Sequence, residues 1–281
     1  MSKRFVAVAV WALAVIYPGP VAAQSDLERA RMLYNSGQFA ESIAAATSAK
    51  SRPAAGPSAT LIIARSRLER FRTLGDQKEL AAARAELVSL NPRNLAPQEA
   101  IEWQIGVGTA LFLEGQVGPA AEMFTSVLPA ARGRLAPVEF EKLLEWWGTT
   151  LARLAESLTG DARRHAYERL RADARLEMER NPLSRPATYW TVVALRGAGD
   201  LDAAWAAAAA GWIRSGGQPE GTQLRTDLDR FVAQTLIPER AQARTGQRFD
   251  ARTTLGDIAV LAEEWRGLTQ RWAREDRQLV R

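Results

Sequence analysis

General acid–base chemistry in this chain would have to start from His165, its one histidine, the side chain whose ordinary pKa lies nearest neutrality. His165 stands in Asp161-Ala162-Arg163-Arg164-His165-Ala166-Tyr167-Glu168, a charged helix start with no companion nucleophile. Paired carboxylates come next. Glu263-Glu264 and Glu139/Glu141 have the residue type of a glycosidase or divalent-metal site but lack the further partners such sites need. The chain has no cysteine, which excludes thiol nucleophiles, thiolate zinc, iron–sulfur clusters, disulfides and the lipid-bearing cysteine of a bacterial lipoprotein. No Walker-type loop, dinucleotide fingerprint or His-Glu-x-x-His occurs. The sequence therefore predicts no catalytic residue, no metal site and no cofactor.

The elements that carry these residues are set by composition. Of 281 residues, 51 are Ala and 33 Arg, against 4 Lys, and Ala and Arg are among the strongest helix formers. The net charge is +5, but the arginines do not cluster. Glu168, Arg169, Arg171, Asp173, Arg175, Glu177, Glu179 and Arg180 mix both signs, the pattern of a solvated helix laced with short-range ion pairs and not of a nucleic-acid surface.

Residues 1–23 read as an export signal. Lys3 and Arg4 form its charged start, Phe5 to Tyr17 an apolar run, Pro18-Gly19-Pro20 a helix break, and Val21-Ala22-Ala23 a small-residue cleavage site before Gln24. The run is shorter than the roughly 20 residues that span a bilayer. The expectation is a periplasmic or secreted protein, cleaved after Ala23, with no integral membrane segment afterwards.

A search for self-similarity finds glycine followed by Asp or Gln at Gly37-Gln38, Gly75-Asp76, Gly115-Gln116, Gly160-Asp161 and Gly199-Asp200, spaced by 38, 40, 45 and 39 residues. Each glycine can take the left-handed conformation that ends a helix, and the polar residue can begin the next. Four residues before the glycine stand Leu33, Phe71, Leu111 and Leu195, with Glu156 in the fourth unit; twelve after it stand Ala49, Leu87, Val127, Ala172 and Gly211. These positions predict an all-α chain of about five helix–turn–helix hairpins over 24–214, the fourth irregular.

On these residues the chain resembles the tetratricopeptide repeat (TPR) family over roughly 25–214. Leu33-Tyr34-Asn35-Ser36-Gly37-Gln38-Phe39-Ala40-Glu41-Ser42-Ile43 is similar to that family's turn, with Ser42 where a small alanine is usual. Pro92 lies where the family places its terminal proline. Gly108, Leu111, Gly115, Ala120 and Phe124 match in the third unit, and Leu195, Gly199, Asp200, Leu201 and Ala204 in the fifth. The resemblance implies a right-handed superhelix whose first helices line a concave groove. Its inner face would carry Arg31, Tyr34 and Asn35, then Arg65, Glu69 and Arg72, then Glu102, Ile105 and Thr109, and finally Tyr189 and Arg196. Arg and Tyr grip extended peptides by forked hydrogen bonds and flat apolar contact.

The turn-rich Ser215-Gly216-Gly217-Gln218-Pro219-Glu220-Gly221 ends the array, and 215–281 reads as a helical extension or cap. Thr222 to about Arg244 is helical with a kink or break at Pro238. Residues 253–278 place Leu261, Trp265, Leu268 and Trp272 on one stripe, suited to burial against the last repeat. Trp146-Trp147 cannot both be buried easily, because adjacent helical residues point about 100° apart.

Together these features predict an exported TPR-like scaffold that binds another protein or peptide in the cell envelope without catalysis. The alternatives are a peptidoglycan-acting hydrolase or its accessory domain, since Glu156-Ser157 resembles the Glu-Ser pair of helical lytic enzymes, and a purely structural envelope protein.

Overall fold

The computed structural model describes residues 20–218, 221–245 and 251–279. Residues 1–19 of the expected signal peptide lie outside them. Every regular element among the described residues is helical.

The expected hairpins are present as α1 (Pro20–Asn35) with α2 (Phe39–Lys50), α3 (Gly56–Leu74) with α4 (Gln77–Ser89), α5 (Pro97–Leu113) with α6 (Val117–Ala131), α7 (Pro137–Ser157) with α8 (Gly160–Arg180), and α9 (Arg185–Gly197) with α10 (Leu201–Arg214). The contacts divide the chain into two compact units, Met1–Ala100 and Ile101–Arg281, with the division inside α5.

The repeating glycines earn their positions by conformation. Gly37, Gly75, Gly115 and Gly199 have φ of +77°, +70°, +79° and +87°, where a side chain would be strained. The apolar residue four before each supplies the carbonyl that closes the turn. Leu33, Leu111 and Leu195 accept from the backbone N–H of Gln38, Gln116 and Asp200 at 2.9, 2.9 and 3.0 Å, and Phe71 accepts from Gly75 at 2.8 Å, the hydrogen bonds of left-handed helix caps. The residue after the glycine caps the next helix only where it is Asp. Asp76 accepts from the N–H of Lys78 and Asp200 from that of Ala203, each at 3.0 Å, whereas Gln38 and Gln116 make no side-chain cap.

The fourth hairpin departs from the expectation. Gly160, at φ +56°, does not end α7; Leu158 does so in an extended conformation, and Gly160 opens α8. Ala172, the expected packing position, is exposed. The other second helices bury residues five, eight or nine, and twelve positions after the glycine, as in Ala120, Phe124 and Val127, while α8 buries Tyr167, Leu170 and Ala174. That is the same face displaced by two residues, so Ala174 fills the place expected of Ala172.

In the first unit the core is built on small residues, including Ala30, Ala46, Ala49 and Ala59, with Ile62 and Ile63. Ser42 is fully buried; its hydroxyl donates to the Ala30 carbonyl at 2.9 Å and accepts from Ser66 at 3.1 Å. A hydroxyl where the TPR-like pattern expects alanine is thus fully bonded and costs little. In the second unit one cluster gathers Phe124, Trp147, Leu151, Tyr167 and Leu170, and a second gathers Trp205, Trp212, Leu228, Leu236, Leu261 and Trp265.

The C-terminal stretch has α11 (Gly221–Phe231), a single π-helical turn at Val232–Leu236, and α12 (Ile237–Thr245). Pro238 therefore breaks no helix: α12 runs on through it, and the π turn just ahead accommodates a residue that has no N–H to donate. The stripe of α13 (Ala251–Leu279) is packed inward. Leu261 and Trp265 are buried, Trp265 meets Trp205 edge-on with centroids 5.3 Å apart, and its indole N–H donates to Asp229 at 2.9 Å. Trp272 is half-buried against the same cluster.

Candidate functional site

Within the first unit, α1 and α3 bring together Tyr34 and Arg65 of the side chains expected on the first helices. The Arg65 guanidinium lies 4.5 Å from the centroid of the Tyr34 ring, and Tyr34 meets Phe39 edge-on at 5.7 Å. A guanidinium over an aromatic face is held by the ring quadrupole. Arg72 pairs with Glu69 one turn earlier at 2.7 Å, and both Asn35 and Arg72 are exposed. Arg31 is committed differently: it donates to Glu99, whose other oxygen accepts from the Ser58 hydroxyl at 3.0 Å and the Ala96 N–H at 3.1 Å. Glu99 thus caps the start of α5 and anchors Arg31, so Arg31 serves the fold.

The second unit corrects several of the expected positions. Thr109 is buried and so presents no side chain to a partner, whereas Ile105 is half-buried against the core. Glu102 is half-buried on α5. Arg196 donates through Nε to both Glu239 oxygens, at 2.8 and 3.1 Å. This hydrogen bonding pushes its pKa up against the opposing effect of burial, and the arginine ties α9 to α12.

Tyr189, by contrast, is one of three half-buried rings, with Trp146 and Phe231, carried by α7, α9 and α11. Trp146 on α7 meets Phe112 edge-on at 5.4 Å and stacks on Phe124 at 6.1 Å. Tyr189 on α9 meets Trp190 at 5.1 Å and Phe231 of α11 at 5.8 Å. Trp147, beside Trp146, is 1% exposed, so of the adjacent indoles it is Trp146 that stays partly open. Charges flank the row. The exposed Arg153 places its guanidinium 5.0 Å from the Phe112 centroid, and Arg185 donates to Glu145 and lies 3.9 Å from Asp227. Burial pushes the Tyr189 phenol up, Asp227 adds to the rise, and Arg230 opposes it.

Sequence reasoning passed over Phe231, Phe112, Arg153 and Arg185. A signal was present for one of them: Trp146, Tyr189 and Phe231 recur at 43 and 42 residues, within the range of the glycine spacings. The other candidates for chemistry stay apart. His165 is exposed on α8, Glu263 and Glu264 are exposed on α13, and Glu139 turns back to the Ala136 N–H at 3.4 Å. Among the described residues no group of carboxylates and histidine is arranged to hold a metal ion, and no helix is long and apolar enough to cross a membrane. Comparison with protein-family models, with curated proteins and with solved structures found no match.

Proposed function

We propose that this chain is an exported, TPR-like helical scaffold that holds an extended or helical segment of another protein against its first helices, with no catalytic step. The observation that supports this most is the row Trp146, Tyr189 and Phe231. Rings left half-open on α7, α9 and α11, bordered by Arg153, Arg185 and Arg230 and by Glu145 and Asp227, offer flat apolar contact with charges of both signs at the edge. Such anchors give most of the binding energy in protein interfaces, and the surrounding charges select the partner. In the first unit the Arg65–Tyr34 pair offers the same combination on a smaller scale. A superhelical stack of the hairpins and residence in the cell envelope after signal cleavage belong to the same reading.

Photocrosslinking of the exported protein in envelope extract tests it. Discrete partners captured by the unaltered chain should be lost with Arg65→Ala/Arg72→Ala, with Arg153→Ala, or with both. Capture unchanged by either variant overturns the assignment of the face. Clearing of cell-wall material in a zymogram overturns the non-catalytic reading itself.

A further inference from the structure

A cavity of about 260 Å³ opens in the second unit where the loop before α9, the C-terminal end of α10 and the start of α11 meet. Its floor is apolar. Gly211 and Leu224 line it with Thr188, whose hydroxyl is used up on the Ser184 carbonyl at 2.9 Å, leaving its methyl where a Cβ on Gly211 would fall, 2.5 Å away. Its rim is a set of donors. Asn181 accepts from the Leu183 N–H at 3.2 Å and so has its amide NH₂ to give. Gln218 is exposed beside it. Arg214, exposed at the last turn of α10, has no carboxylate partner among the described residues, unlike Arg185 on the same lining, which Glu145 and Asp227 hold.

We propose that this cavity binds a single carboxylate carried on a short branched aliphatic body, with the carboxylate on Arg214 and the aliphatic part over Thr188, Gly211 and Leu224. Size supports a small occupant, because the volume falls just below the roughly 300–1,000 Å³ of sites for drug-sized ligands. Charge supports one negative charge. One guanidinium with no carboxylate partner among the described residues matches one carboxylate in its planar fork, and Glu141 on the lining makes a second negative charge harder to hold. Two sources present this chemistry, a free aliphatic acid and the C-terminal residue of a peptide. Arg185 borders both this cavity and the aromatic row, but the contacts proposed on Arg214, Thr188, Gly211 and Leu224 do not depend on what that row binds.

Titration calorimetry on the full chain tests it with 4-methylpentanoate, 4-methylpentan-1-ol, inorganic phosphate, and a short peptide ending in leucine as acid or amide. Saturable binding is expected for 4-methylpentanoate, for the peptide acid or for both, and for neither the alcohol nor the amide. Binding of the free acid alone assigns a metabolite, and of the peptide acid alone a chain end. Arg214→Gln should weaken the binding by about tenfold or more, as loss of a charge-assisted hydrogen bond does. Arg214→Lys keeps the charge but not the fork, so its binding should fall between that of the parent and that of Arg214→Gln; because Arg214 is exposed, both variants should keep the parent's circular dichroism and unfolding midpoint. No saturable binding of either acid, equal binding of the alcohol, tighter binding of phosphate, or undiminished binding by Arg214→Gln overturns the proposal.

Discussion

The buried ring of Tyr167 on α8 rests on the bare backbone of Gly197 on α9: a Cβ there would fall 2.3 Å from Tyr167 Cε1. Helix propensity alone would make Gly197→Ala favourable by about 1 kcal/mol. Overpacking a filled core costs about 1–3 kcal/mol, and the fully buried ring has nowhere to go. Gly197→Ala should therefore lower the urea midpoint by the equivalent of about 1–2 kcal/mol. Gly148→Ala, which would press on the half-buried Trp190 ring, should cost less. Gly267→Ala in α13, where nothing lies within 4 Å, should stabilise. If Gly197→Ala and Gly267→Ala move the midpoint in the same direction, close helix approach is not what these glycines provide.

Of the four repeat turns whose glycine ends the first helix, two carry a side-chain cap and two do not, so their polar residues should respond differently to truncation. Asp76→Ala and Asp200→Ala each remove a hydrogen bond to a helix N-terminus and should cost about 1 kcal/mol. Gln38→Ala and Gln116→Ala should change thermal unfolding little. Equal losses at all four positions would contradict the geometry.

Glu79 is 9% exposed and receives Arg67 Nη1 at 2.9 Å and Arg70 Nε at 2.8 Å, which joins α3 to α4. Glu79→Gln keeps the shape and removes the charge. Because both arginines remain partly in water, the expected loss is about 1–3 kcal/mol and not the full cost of stranding buried ions. Chemical denaturation measures it, and a difference that shrinks at high salt would support an ionic origin.

Burial and Asp227 raise the Tyr189 phenol above its usual 10.0. Below that value the hydroxyl is protonated in both folded and unfolded chains, and its contribution to stability is fully present. As pH rises through it the unfolded chain loses the proton first, so stability falls until the raised folded value is passed. Between about pH 9 and pH 11, a window that spans the ordinary tyrosine value, Tyr189→Phe should lose less stability than the parent. Parallel alkaline profiles would remove Tyr189 from this account.

The hairpins were legible because their turns depend on one residue. Only glycine is comfortable at the positive φ of Gly37, Gly75, Gly115 and Gly199, and the carbonyl four residues earlier follows from helix geometry. The two-residue displacement in the fourth hairpin could not be read from the glycine, since Gly160 supplies φ but not the helix end. It is written in Tyr167, Leu170 and Ala174. The groove was less legible. A period of 3.6 residues gives the face on which Arg31 or Arg196 lies, but not whether a carboxylate 68 or 43 residues away will claim it. Long arginines that a helical wheel turns toward a ligand are taken by Glu99 and Glu239. Rings such as Tyr189, too wide to be covered by one neighbour, stay partly open.

The π turn at Val232–Leu236 inserts one residue more than an α-helical turn holds. One residue is about 100° of helix rotation, so everything after it is aimed by that insertion. Glu239 reaches Arg196 and Arg240 reaches Asp202 only at the present azimuth. Deleting Ala233, an exposed position that makes no core contact, would straighten the turn and swing both side chains off their partners. The reading frame of the last helices thus hangs on the length of a five-residue segment, and a deletion there would be felt as a substitution at every contact beyond it.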